Sequence, residues 1–144
     1  MHKNRDFFQN GVITTLHRLN RGNKDLLEKE LERHSKSRPI DIVLTTLFSE
    51  LEGPALQDII DQLGAVPYLN QIVVSLGDAN AEQFQEAKRF FSKLPQETVI
   101  IWNDGQRIDD LRNTLYTEFC CWEKGKGLAA WMAYGYVLAS GRSD

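Results

Sequence analysis

The sequence predicts an α/β domain: a partial Rossmann-like, three-layer sandwich on a mostly parallel sheet, with a helical N-terminal extension. Three observations carry this. The runs IDIVLTTLF from Ile40, NQIVVSLGD from Asn70 and ETVIIWNDG from Glu97 are apolar and β-branched, as buried strands are. Each is followed by a segment with apolar residues at helical spacing. Proline, glycine and asparagine punctuate the joints. Strand–helix alternation of this kind builds a parallel sheet with right-handed crossovers.

Residues 1–35 read as the extension, packed on the main domain, and residues 36–144 as the domain. Within the extension, Phe8, Val12, Leu16 and Leu19 have helical spacing over residues 6–20, although Gly11 and the β-branched run Val12 to Thr15 oppose a helix. Residues 23–35 make a better helix: Asn23 can cap it, and Leu26, Leu27 and Leu31 form one face of an otherwise charged, solvated segment. The stretch KSRP at 36–39 is linker-like, and Pro39 leads into the first strand. In EGPALQDIIDQLG, Pro54 suits a first helical turn and Gly64 a helix end, with Leu56, Ile59, Ile60 and Leu63 on one face. Residues 80–93 place Phe84, Ala87 and Phe91 on one side. Residues 106–119 and 126–140 complete the helices; Asp109 and Asp110 suit the first turn of the former through its dipole.

Composition narrows the function. A chain of 144 residues predicts one domain. Its net charge of −3 offers no basic surplus for nucleic acid. The longest apolar stretch, from Leu128 to Ala139, falls short of the roughly 20 residues of a membrane span. The start, MHKNRDFFQN, lacks the apolar core of a signal peptide. Cys120 and Cys121 are adjacent and have no distant partner, which predicts a reducing, cytoplasmic setting. His17 is a surface or lightly packed residue on this reading.

In open α/β sheets ligands bind beyond the carboxyl ends of the strands. The three tips are Thr46-Leu47-Phe48-Ser49-Glu50, Gly77-Asp78 and Asn103-Asp104-Gly105. Turn chemistry alone accounts for Asp, Asn and Gly at such places. The first tip offers more: Phe48 either stacks on a base or packs in the core, and Ser49 and Glu50 can hydrogen-bond a base edge. Gly125-Lys126-Gly127 is not a P-loop, because Cys120 stands where that motif needs glycine and Gly127 where it needs Ser or Thr. Nor is it a dinucleotide fingerprint, since a helical segment precedes it. What remains is a lysine on a turn at a helix N-terminus, where a diphosphate would be favoured. The alternative is an exposed lysine in a helix connection, with Gly127 allowing close packing.

The order and spacing of these pieces resemble the GT-A class of nucleotide-sugar glycosyltransferases, and more narrowly the glucosyl-3-phosphoglycerate synthase type. The resemblance covers residues 40–144, and GVITTLHRL in the extension is similar to the same subgroup. It implies a nucleotide-sugar site at Thr46, Leu47, Phe48, Ser49 and Glu50, which replace the family's Pro-Ala-Leu-Asn-Glu segment, with Asp78 contacting the base and Lys126 the phosphates. Thr46 for proline and Ser49 for asparagine are departures that leave the base open. The family also holds the sugar diphosphate through a divalent metal, magnesium or manganese, on an Asp-x-Asp motif that residues 1–144 lack. The chain therefore reads as an N-terminal fragment without catalytic or metal-binding residues, inactive alone. The whole enzyme would move a hexosyl group from a nucleotide diphosphate sugar to a small hydroxylated acceptor such as a phosphoglycerate. Without its next strand, the first strand would be an open edge prone to form a homo-oligomer. The alternative is a non-catalytic α/β module that binds a protein partner or a regulatory nucleotide.

Overall fold

The computed structural model describes residues 23–119 and 125–142. In order, these form α1 (Lys24–Ser35), β1 (Ile40–Leu47), a 3-10 turn (Phe48–Glu52), α2 (Pro54–Gly64), β2 (Leu69–Gly77), α3 (Ala81–Phe91), β3 (Glu97–Trp102), α4 (Gln106–Phe119) and α5 (Lys126–Ser140). The three strands are parallel and lie in the order β1-β2-β3, with Ile42 beside Ile72 and Val74 beside Ile100. This is the α/β architecture expected from the alternation.

Side chains alternate across a strand, so β2 has two faces to cover. Ile72, Val74 and Leu76 point to one face and join Leu56 and Ile60 of α2 and Ala87 and Phe91 of α3. Ile72, Val74, Leu76, Ala87 and Phe91 are at most 1% exposed, and each such large side chain contributes about 1.5–3 kcal/mol of burial. The other face receives α5, which packs on β1 and β2 through Leu128, Met132 and Ala133. Ser75 near the end of β2 donates to the Ala129 carbonyl near the start of α5, at 3.1 Å. Arg142, past the end of α5, pairs with Glu97 at the start of β3. The helix thus runs against the strands and sets its N-terminus over their carboxyl ends.

Local sequence explains the boundaries. The Asn23 side chain caps α1 by accepting from the Asp25 N–H at 3.1 Å. Asn80 and Gln83 cap α3 reciprocally, at 2.9 and 2.8 Å. Pro54 occupies the first turn of α2. Strand β3 stops at Trp102, where its apolar run ends, because Asn103 and Asp104 turn the chain and the Gly105 N–H bonds the Trp102 carbonyl at 3.0 Å. A Cβ on Gly105 would lie 2.8 Å from Cε3 of the Trp102 ring. That ring cannot yield: its Nε1 donates to the Ala79 carbonyl at 2.7 Å, and it stacks on Phe84 at 5.0 Å.

Helix α1 buries none of its residues, and Leu26, Leu27 and Leu31 are 57%, 47% and 40% exposed. The expected helix over residues 6–20, His17, Cys120, Cys121 and the end of the chain lie outside the described residues. Among the described residues, β1 pairs with β2 alone and leaves its other edge open. No helix among them is long and apolar enough to cross a membrane.

Candidate ligand-binding site

The carboxyl ends of the strands, the α4 face carrying Ile108 and Arg112, and the start of α5 enclose a cavity of about 380 Å³, within the usual range for small-molecule sites. The three stretches singled out in the sequence meet there. The β1 tip supplies Thr46, Leu47 and Glu50, the end of β2 supplies Asp78, and the α5 turn supplies Lys126.

Glu50 is held from within the protein. Its Oε2 accepts from the Thr46 hydroxyl at 2.6 Å and from the Leu47 N–H at 3.0 Å. The Thr46 bond and then the Leu47 bond hold its carboxyl below the usual glutamate value of 4.5; burial opposes them, and the nearby Lys126 ammonium lowers it further by less than burial raises it. Glu50 is therefore an ionised acceptor at neutral pH.

Asp78 follows β2 with φ of 56°, in the left-handed region, which Asp tolerates better than most residues. Among the described residues no hydrogen bond occupies its carboxylate. The turn behind it is pinned by Asp104, whose Oδ2 accepts from the Ala79 N–H at 3.1 Å. Lys126 is the first residue of α5, and Gly125 before it provides no side-chain cap. The free N–H groups of the first turn and the ammonium thus favour an anion at this mouth of the cavity.

Two of the expected residues do not line the cavity. Phe48 is 8% exposed and packs in the core with Leu56 and Ile60, so it anchors the 3-10 turn and cannot stack on a base. Ser49, the next residue of the same turn, is exposed outside the cavity. The reading of Gly127 as a close-packing glycine finds no support: among the described residues a Cβ there would meet nothing within 4 Å.

Arg112 was missed. It lies one turn after Ile108 on the same face of α4, and both line the cavity. Its guanidinium donates to the Asn103 carbonyl at 3.4 Å and pairs with Asp109. Arg107, five residues earlier on α4, is exposed and lies outside the cavity. Only the four-residue spacing from Ile108 could have signalled Arg112. Among the described residues no three His, Cys, Asp or Glu side chains gather to hold a metal ion. Glu50 and Asp78 alone do not make a divalent-metal site.

Fold and site define an α/β domain with a largely apolar, ligand-sized cavity, edged by Glu50, Asp78 and Lys126, at the carboxyl ends of a parallel sheet. The chain is similar to the glucosyl-3-phosphoglycerate synthase of Persephonella marina, at 43% identity over 135 residues, covering 93% of this chain and 34% of that protein. It is also similar to the glucosyl-3-phosphoglycerate synthase of Methanococcoides burtonii, at 33% identity over 136 residues, covering 90% of this chain and 32% of that protein. The chain spans about a third of the length of these curated relatives. No family model matches it, and no solved structure does so significantly.

Proposed function

We propose that this chain is the nucleotide-binding portion of a GT-A type glycosyltransferase. The whole protein would move a hexosyl group from a nucleotide diphosphate sugar to a small hydroxylated acceptor such as a phosphoglycerate. The observation that carries this reading is the meeting of the β1 tip, Asp78 and Lys126 on one cavity. The two similar synthases support it.

Each residue then has a role set by its chemistry. Ionised Glu50 accepts from sugar hydroxyls, and Asp78 accepts from a base N–H. Lys126 and the first-turn N–H groups of α5 face the diphosphate, where negative charge grows as the glycosidic bond breaks. A divalent metal, magnesium or manganese, would belong to residues other than those described. The chain by itself binds nucleotide without transferring sugar. The open β1 edge supports a homo-oligomer, since unpaired strand groups seek a partner. Sedimentation across a range of concentrations tests this, and a monomer throughout removes it.

Titration of the chain with UDP, GDP and their glucose conjugates tests the main reading. Binding of at least one diphosphate, stronger than binding of its nucleoside, is expected. Absence of binding for all four ligands would overturn it.

A further inference from the structure

Helix α5 is apolar on every side. Of its 15 residues, Lys126 alone carries a charge. A helix of that kind is covered all round in a folded protein. The sheet covers one side, through Leu128, Met132 and Ala133. The opposite side carries Gly127, Trp131, Tyr134 and Leu138, whose steps of four, three and four residues set them in one line along the helix. Trp131, Tyr134 and Leu138 are 48%, 57% and 78% exposed. Among the described residues a Cβ on Gly127 would meet nothing within 4 Å, so the line begins with an open notch.

This line is its own complement. Turned end for end about a two-fold axis between Met132 and Ala133, it sets Leu138 over Gly127 of the partner subunit, and Trp131 over Tyr134 of the partner subunit. The most exposed of the large apolar side chains thus meets the notch, and two ring pairs fill the middle. Charge agrees with this direction. The positive N-terminus of α5, with Lys126, lies beside the negative C-terminus of the other copy, whereas a parallel pairing would set both lysines together. We propose that this face of α5 is a docking surface for a second copy of the chain, joined antiparallel in this register. Trp131, Tyr134 and Leu138 leave on the order of 300–400 Å² to cover per copy, since a fully enclosed aromatic side chain buries about 150–250 Å². Twice that area falls below the roughly 1,200 Å² of a standard interface, so the dimer is weak and concentration-dependent. Leu138 then stands next to Lys126 of the partner subunit, at the mouth of the cavity that lysine lines. Each copy borders the other's site.

Sedimentation velocity of the whole chain is the test. The wild type should pass from monomer to dimer across about 10–1,000 μM. Gly127→Leu fills the notch. Within one copy the new side chain enters open space, and leucine favours a helix more than glycine does. Between copies it strikes Leu138 of the partner subunit. Leu138→Glu puts a charge into the same contact. Each single variant should weaken the dimer about tenfold or more. Gly127→Leu combined with Leu138→Ala moves the bulk across the contact and should restore association to within about threefold of wild type. A surface that is merely adhesive gives the opposite sign: Gly127→Leu adds apolar area and strengthens association, which overturns the proposal. Association unchanged in both single variants also overturns it and moves the contact elsewhere, to the open β1 edge first. A monomer at every concentration does the same. Far-ultraviolet circular dichroism checks that the variants fold. Loss of structure in Leu138→Glu would mean that Leu138 packs within its own chain, and the docking surface would fall. None of these readouts involves a nucleotide, so the functional reading above stands or falls separately.

Discussion

Replacing Lys126 with Gln removes one charge from the mouth of the cavity while leaving the backbone of α5 in place. The size of the effect follows from the surroundings. Lys126 opens α5 and is exposed, and no side chain caps that end. Its ammonium would meet a phosphate oxygen at about 3–4 Å, an attraction of about 1 kcal/mol in water and about 4 kcal/mol near a protein surface. Exposure favours the lower end, and the Gln amide still donates one bond. The first-turn N–H groups also remain, with a dipole contribution of about 0.3–1 kcal/mol that the substitution does not touch. The net loss should be about 1–2 kcal/mol, or roughly fivefold to thirtyfold in diphosphate affinity. Nucleosides lack the phosphates and should bind equally well to both forms. Calorimetry with UDP and uridine at low and high salt would show this, with the gap between the forms narrowing as salt screens the ammonium. An equal loss for UDP and uridine would refute the phosphate role, because it would mean that the substitution deforms the cavity as a whole.

Three further outcomes are expected. Gly105→Ala drives a methyl to 2.8 Å from a Trp102 ring held on two sides; urea unfolding should show a loss of about 1–3 kcal/mol, and an unchanged midpoint would mean that the ring has room to move. Asp78→Asn keeps a side chain that tolerates φ of 56°, so it should leave stability within about 0.5 kcal/mol of wild type and weaken nucleotide binding, whereas Asp78→Ala should add about 1 kcal/mol of backbone cost; equal stability of the two variants would sink the strain argument. Glu50 has a folded pKa below 4.5, so its stabilising effect is complete above that value and is lost as pH falls through the lowered one; acid unfolding of Glu50→Gln should therefore lack this component, and identical acid profiles would contradict the Thr46 and Leu47 bonds.

Periodicity alone exposed most of the fold. The three β-branched runs became the three strands, and the cap at Asn23 and the proline at 54 placed helix starts where they lie. The ends of runs were less legible. Phe48 continues the apolar run of β1, yet it turns under the sheet because Leu56 and Ile60 make room for it in the core. Which apolar residue ends a strand depends on the partner beneath it, and a single sequence does not contain that. The site followed the same rule. Residues at strand tips were found because tips are where open sheets bind ligands. Arg112 was not, because α4 angles its second turn over the cavity, and that angle is set by tertiary packing. The departure at Thr46 left the base undecided in the sequence; in three dimensions its hydroxyl proved to grip Glu50.

The position of the cationic turn depends on a buried polar group in the sheet. Ser75 and Asn103 are 1% and 8% exposed, beside the fully buried Val73, Val74 and Leu76. Unpaired, a buried hydroxyl and amide would each cost about 1–3 kcal/mol. They are satisfied together: the Asn103 amide donates to the Ser75 hydroxyl at 2.9 Å, and that hydroxyl donates to the Ala129 carbonyl at 3.1 Å. The Asn103 carbonyl in turn accepts from Arg112 at 3.4 Å. The last strand, the central strand, α4 and α5 are thus joined at the floor of the cavity. An apolar contact at this point would let α5 slide by a fraction of a turn at little cost, since packing is not directional. A hydrogen bond to one carbonyl does not, and that carbonyl lies three residues after Lys126. The polar floor therefore fixes where the ammonium stands relative to Glu50 and Asp78, and the cavity keeps its arrangement of charges before any ligand enters.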